Sequence, residues 1–201
     1  MGRLTARLAS RNENKLRELQ RALPGWELKL LDAEFPPETG GSYYENALGK
    51  ARFGHERVGG WVLGEDSGIE AEGLGGRPGL HSSREGGSDP QWLLRELRRI
   101  GNRRARYVCE LVAIDPEGNE HRGTGILAGS IAQEARGSEG FGYDPVFIPV
   151  GEERTVAELG NDWKAENSHR GRAAKALAAA LRRDPQPSPP ARPRAGHGGT
   201  S

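Results

Sequence analysis

The chain has 201 residues, with 29 Lys and Arg against 28 Asp and Glu, a formal net charge of +1. That length suits one domain with a sizeable core rather than two, and the balanced charge excludes a global field that would recruit polymeric nucleic acid or a membrane surface. One cysteine, Cys109 in the apolar run "YVCELVAI", excludes an internal disulfide and a cysteine-rich metal site, and with no apolar stretch of about 18 residues and no signal-peptide pattern in "MGRLTARLAS" a soluble, cytoplasmic protein is expected.

A strand is expected from Arg3 to Ala9, leading into a helix in which Leu16, Leu19 and Leu23 recur at helical spacing. "WELKLLD" (26–32) reads as a second strand, followed by the loop "AEFPPETGG". The next helix, "SYYENALGKARFGHERV", carries Tyr44, Ala47, Leu48, Ala51 and Val58 on roughly one side and opens with a capping box of Ser42 and Glu45. "WVLGED" (61–66) is expected as a third strand that ends on two adjacent carboxylates, and "GIEAEGLGG" as an outward turn with a short returning strand. Asp89 and Pro90 begin the helix "DPQWLLRELRRI". Two strands then join at "DPEGN", "DPVFIP" (144–149) is a short strand, and "SHRGRAAKALAAALRR" is a closing Ala-rich helix. Residues 184–201 hold almost no apolar side chains and are expected to be a disordered Pro/Arg/Gly-rich tail after a single domain over 1–183. Helices alternate with strands early and antiparallel strands dominate later, so the expected fold class is α/β with a mixed sheet.

Five stretches can carry chemistry. In "ASRNENK", Ser10, Asn12 and Lys15 gather hydroxyl, amide and ammonium at a helix start, where an anion such as phosphate is favoured. The same residues fit a plain cap with a solvated lysine, and that alternative stands on this motif alone. In "PPETGGSYYENALGKA", Glu38 can reach a cation and Lys50, two turns into the helix, can face phosphate oxygens, whereas the capping box already occupies Glu45. Glu65 and Asp66 supply the hard oxygen ligands that Mg2+ takes one or two at a time, but neighbouring strand residues point to opposite faces, so sharing one site requires the strand to end or bend there, and on this motif alone a solvated turn is the better reading. "GSEGFGYDP" sets Phe141 and Tyr143 around a glycine before Asp144, a constrained turn on which a flat base can stack, or an ordinary aromatic plug. Lys164, His169 and Arg170 lie just before and within the first turn of the last helix, where cations oppose the dipole, so a partner for them is expected, while Ser168 suffices as a cap.

In this order and spacing the stretches "ASRNENK", "ETGGSYYENALGKA", "GEDSG", "GLGGRPG", "GFGYDPVF", "TVAEL" and "SHRGRA" resemble the inosine triphosphate pyrophosphatase family, the non-standard purine or XTP/dITP diphosphatases. The resemblance spans residues 5 to about 182. It implies a long curved mixed β-sheet flanked by helices, two lobes with the active cleft between them, and a homodimer. It implies Mg2+-dependent hydrolysis of ITP, dITP and XTP to monophosphate and pyrophosphate. By motif match, Ser10, Arg11, Asn12, Glu13, Asn14 and Lys15 hold the phosphates together with Lys50, and Asp66 is the metal-bound general base. Ser67 touches substrate, and Phe141, Gly142, Tyr143, Asp144, Lys164, His169 and Arg170 enclose the purine.

Five departures from that family pattern stand out, one of them a short segment after "GLHSSREGG". Arg11 sits where many members have glycine, Glu65 where many have aspartate, Pro37 where many place a further glutamate, and Asn167 at a usually apolar position. Pro37 leaves the second metal carboxylate open between Glu38 and Glu65. Two rivals are a pyrophosphatase for modified pyrimidine nucleotides, opposed by "SHRGRA" and "FGYDP", and a catalytically silent nucleotide-binding protein, opposed by Asp66 and Lys15.

Overall fold

The computed structural model describes residues 3–82 and 84–183; the expected tail from Asp184 lies outside them. Strand β1 (Leu4–Leu8) runs into helix α1 (Glu13–Ala22), which begins where the Asn12 side chain accepts from the N–H groups of Asn14 (2.9 Å) and Lys15 (3.2 Å). Strand β2 (Trp26–Leu30) lies parallel to β1. Helix α2 (Tyr43–Val58) opens at Ser42, whose hydroxyl accepts from the Glu45 N–H at 3.1 Å. Only half of the expected capping box forms, because the Glu45 carboxylate accepts from Gly41 N–H at 2.6 Å instead. Its inner face is rotated from the expected one: Ala47 and Ala51 are buried, but so are Tyr43 and Asn46, while Val58 is exposed.

The largest correction concerns β3 (Trp61–Ala71). It does not end at Asp66 but continues five residues further, paired antiparallel along its length with β4 (Arg104–Ile114), with Glu65 opposite Leu111 and Asp66 opposite Glu110. Asp, Ser and Gly read locally as a turn, and the ladder to a distant strand overrides that preference. The expected returning strand is absorbed as well: Ile69–Ala71 extend β3, Glu72–Leu74 make a short 3-10 turn, and one bridge joins Glu70 to Pro78. Helix α3 (Pro90–Glu96) starts at Asp89 as expected and stops four residues before Ile100. Strand β5 (Glu120–Ile131) forms the expected hairpin with β4. The strand expected over 144–149 splits into a 3-10 turn (Asp144–Val146) and β6 (Phe147–Pro149). Helix α4 (Val156–Asn167), which places Lys164, was not expected, although the capping box of Thr155 and Glu158 that starts it is legible in "TVAEL". Helix α5 (His169–Arg183) begins where Ser168 Oγ accepts from Gly171 N–H at 3.1 Å.

The sheet order is β2-β1-β3-β4-β5-β6; β1 is parallel to both neighbours and the remaining pairs are antiparallel. The mixed α/β expectation holds. Two apolar clusters sit along this sheet. One joins Leu8, Leu19, Leu63, Leu111 and Leu177 under α1 and α5; the other joins Ile69, Tyr107, Leu127, Phe147 and Val156 at the far end. Strands β3 and β4 run through both, so Glu65 to Gly68 occupy the seam between Leu63 and Ile69. Helix α2 packs on the opposite face through Ala47 and Ala51 against Val112 and Ile114. Two glycines permit close approach that positions the site. A Cβ on Gly64 would strike the Ala47 carbonyl of α2, and one on Gly125 would strike the His169 carbonyl at the start of α5.

Candidate active site

The pleat of β3 sorts the carboxylate pair. Gly64 faces α2 and Leu63 faces α1 and α5, so alternation turns Asp66 toward α2 and Glu65 toward α1 and α5. The contacts follow. Asp66 accepts from Asn46 Nδ2 at 3.0 Å and meets Lys50 Nζ at 3.4 Å; both partners lie on α2, one turn apart. Lys50 also meets Glu38 Oε1 at 2.7 Å, so Glu38 and Asp66 converge on one point although they come from different segments. Burial, with the charges of Glu65 and Glu38, raises the Asp66 carboxyl above its ordinary value against the pull of Lys50 and Asn46. Burial works against the Lys50 ammonium, yet Asp66, Glu65 and Glu38 together raise its pKa.

Glu65, 1% exposed, has other neighbours: Lys15 Nζ at 2.7 Å and Arg170 Nε at 2.9 Å. Burial alone would raise its carboxyl, but Lys15, Arg170 and Lys50 hold it well below the usual range. The two acids thus act on opposite faces of an unbroken strand, and the bend that a shared site would require is absent.

Arg170 is the hub of a buried network. Its guanidinium donates to Glu65, to Ser67 Oγ at 2.6 Å and to Glu18 Oε2 at 3.2 Å. Glu18 also accepts from Ser168 Oγ at 2.8 Å and lies 3.4 Å from Lys164 Nζ, which in turn meets Asp144 Oδ2 at 2.7 Å. Asp144 accepts from the Phe141 N–H at 2.7 Å, closing the aromatic turn. Burial raises the Asp144 carboxyl above its ordinary value, with Lys164 opposing and Glu18 adding to the rise. The partner expected for the cations at the start of α5 is therefore found inside the protein, in Glu18, Glu65 and Asp144. Tyr143 is pushed up to about 12 by burial and the nearby charge of Asp89, so its hydroxyl keeps its proton. His169 is buried and stacked on Tyr107, with centroids 4.4 Å apart and planes at 5°. Burial and the adjacent Arg170 drive its pKa well down, leaving a neutral ring whose Nδ1 has no hydrogen-bond partner.

Two cavities meet at these residues. The first, about 460 Å³, has Ser67, Phe141, Tyr143, His169 and Arg170 in its walls, together with Asn12, Asn14, Gly142 and Asp144. The second, about 390 Å³, is bounded by Ser10, Arg11, Glu38 and Lys50. Lys15 lines both. The structure therefore brings together almost every residue singled out in the sequence. Glu65, Asp66 and Lys164 lie behind the cavity walls, each in contact with a residue that lines them, through Lys15, Lys50 and Asp144 respectively, whereas Glu13 is exposed, lines neither cavity and pairs with Arg17 at 3.4 Å. Asn12 combines the two roles that its motif left open, capping α1 while facing the first cavity.

Sequence reasoning missed Asn46, Glu18 and Tyr107. Asn46 stands one helical turn before Lys50, a spacing that places both on one face. Glu18 interrupts the apolar stripe of α1 three residues after Lys15, and a charge inside such a stripe is a signal of buried pairing. Tyr107 alternates with Cys109 along β4 and offers no local signal.

Residues 6–180 match the Ham1 family. The dITP/XTP pyrophosphatase of Deinococcus radiodurans is 42% identical over 181 residues, covering 86% of this chain and 90% of that protein. That of Thermus thermophilus is 40% identical over 193 residues, covering 90% and 93%. Among solved structures, a HAM1 protein from Coxiella burnetii aligns with a TM-score of 0.78 at 34% identity, covering 90% of this chain and 100% of that one. A nucleoside-triphosphatase, dITP/XTP pyrophosphatase, from Mycobacterium abscessus aligns at 0.66 with 41% identity, covering 87% and 97%.

Proposed function

The chain belongs to the Ham1 family, and on that premise we propose that it hydrolyses non-standard purine nucleoside triphosphates, dITP, XTP and ITP, to the monophosphate and pyrophosphate, cleansing the nucleotide pool. The observation that carries this reading is the placement of Lys15 at the junction of a cavity walled by aromatic rings and a cavity lined by four cationic side chains and one carboxylate. A purine in the first and a phosphate chain running into the second would bring the scissile bond past Lys15 and toward Asp66.

In this reading Phe141 stacks on the base, with Lys164 Nζ 4.4 Å from its ring centroid on the protein side. Lys164 and Arg170 are engaged by Asp144, Glu18, Glu65 and Ser67, so they shape the pocket and orient Ser67 toward the sugar and phosphate. The neutral His169 ring lines the first cavity, and its ring N–H donates to the 6-oxo edge. An adenine amino group there would leave donor facing donor, a mismatch of about 1–3 kcal/mol. Ser10, Arg11, Asn12, Asn14 and Lys15 hold the phosphates with Lys50. Glu13 sits beside them in sequence and contributes through the helix end only.

The donor set suits a hard divalent ion. Glu38 and Asp66 already converge on the Lys50 ammonium, and Mg2+ takes one or two carboxylates plus phosphate and water oxygens. Among the described residues no group of three or more His, Cys, Asp or Glu is arranged to hold an ion, so substrate oxygens would complete the shell. We assign Glu38 and Asp66 as the ligands and Glu65 to the Lys15 and Arg170 pairs. When bound, Mg2+ would neutralise phosphate charge and acidify a water. Asp66, its carboxyl raised by burial, takes the proton from the attacking water, while Asn46 and Lys50 hold its orientation. Lys15 and Lys50 meet the charge that develops on the leaving pyrophosphate.

A homodimer, a cytoplasmic location and a single domain over residues 1–183 belong to the same proposal. Among the described residues no helix is long and apolar enough to cross a membrane. The test is pyrophosphate release from ITP, XTP, ATP and GTP with and without Mg2+. ITP and XTP should be strongly preferred, and Asp66→Asn should lose about 10²–10⁴-fold in kcat. Equal rates on all four, or an undiminished Asp66→Asn, would refute it.

A further inference from the structure

The second cavity holds four cationic side chains, Arg11, Lys15, Lys50 and Arg84, against one carboxylate, Glu38. The two lysines are spent: Lys15 on Glu65 at 2.7 Å, Lys50 on Glu38 at 2.7 Å and Asp66 at 3.4 Å. The two arginines are not. Arg11 has no hydrogen-bond or ion-pair partner among the described residues. Arg84 makes one long hydrogen bond, from Nη2 to the Glu38 carbonyl at 3.3 Å, and an ion pair at the 4.0 Å limit with the Glu38 carboxylate. Most of its donor fork is uncommitted. The two guanidinium groups reach the cavity from different parts of the fold, Arg11 from the turn between β1 and α1 and Arg84 from the segment between β3 and α3.

Their place in the cavity gives them a role. Lys15 faces both cavities, and Lys50 joins the second one to Asp66. A phosphate chain entering from the first cavity therefore meets Lys15 before it reaches Arg11 and Arg84. We infer that Arg11 and Arg84 form a clamp on the terminal phosphate, so that the enzyme selects triphosphates over diphosphates of the same base. This deepens the pyrophosphatase reading and rests on it. Guanidinium forks match phosphate oxygens two at a time and stay charged at any working pH. Both side chains are solvent-facing, so screening limits each contact to at most about fivefold in affinity rather than the larger factors of a buried pair.

The experiment uses the full chain with Mg2+ at fixed ionic strength and compares kcat/KM for ITP and IDP in the natural protein, Arg84→Ala, Arg11→Gly and Arg84→Lys. The natural protein should favour ITP. Arg84→Ala and Arg11→Gly should each lower the ITP/IDP ratio up to about fivefold and weaken inhibition by pyrophosphate to a similar degree, with Arg84→Lys between the natural protein and Arg84→Ala. An unchanged ratio in both variants overturns the clamp. So does an equal loss on ITP and IDP, which is what a merely structural role for Arg84 at the Glu38 loop would give. If the natural protein hydrolyses neither ITP nor XTP, the parent reading fails on its own. Calorimetric binding of pyrophosphate then decides the clamp separately: weaker binding in the two variants supports it, and equal binding removes it.

Discussion

Replacing Glu65 with glutamine separates two neighbouring acids by what they do. Glu65 is 1% exposed and binds Lys15 at 2.7 Å and Arg170 at 2.9 Å, on the face of β3 away from Lys50 and Glu38. Neutralising one member of a buried ion pair costs about 3–5 kcal/mol, because the remaining charge is left buried without its partner. Arg170 retains Glu18 at 3.2 Å and Lys15 is partly solvated, so the low end applies, about 3 kcal/mol. For a chain of this size that corresponds to a fall in Tm of about 6–12 °C. The sign with pH follows from the depressed folded-state carboxyl. Its stabilisation is complete above the unfolded value of about 4.3 and is lost as pH falls through the lower folded value. The difference in Tm between the natural protein and Glu65→Gln should therefore shrink in acid. Thermal melts over a pH series, paired with Mg2+ titrations of ITP hydrolysis, test this. Glu65→Gln should lose stability with its half-saturating Mg2+ unchanged, whereas Glu38→Gln should raise the Mg2+ requirement at least about tenfold. A Glu65→Gln protein with a normal Tm and a tenfold higher Mg2+ requirement would show that Glu65 is a metal ligand and refute the reasoning.

Lys164→Met removes the partner of a carboxylate that is 3% exposed, Asp144, and should cost about 3–5 kcal/mol in urea unfolding; adding Asp144→Asn should restore part of it, and strict additivity of the two changes would argue against the pair. Gly125→Ala drives a methyl into the His169 carbonyl and should cost about 1–3 kcal/mol as α5 is pushed from the sheet, measured as a fall in Tm with a raised KM for ITP; an unaltered KM would mean that α5 tolerates the shift. His169 is neutral in the fold because burial lowers its pKa, so stability should decline below about pH 6.5, where the unfolded chain takes up the proton, by up to about 1.4 kcal/mol per pH unit. His169→Gln should flatten that slope, and a slope equal to that of the natural protein would show that His169 already carries its proton when folded.

Helices α1, α2, α3 and α5 were legible in the sequence because their signals are local: Asn12, Ser42, Asp89 and Ser168 at the caps, and leucines or alanines at helical spacing. The residues of the candidate site were legible for a related reason, since phosphate-binding and base-stacking groups must sit on turns and helix starts whose composition shows along the chain. What the sequence did not carry is whatever depends on a partner far away. "EDSG" has turn composition, and only pairing with β4, more than 40 residues later, keeps it in an unbroken strand. That pairing decides the chemistry, because an unbroken pleat sends Glu65 and Asp66 to opposite faces. Asp66 thereby joins Glu38 and Lys50, and Glu65 joins Lys15 and Arg170. Glu18 gained its place in the same way, from Ser168 and Arg170 some 150 residues on. Residue types and local order follow from the chain itself, whereas the division of labour between two adjacent acids follows from which face of the sheet each helix covers.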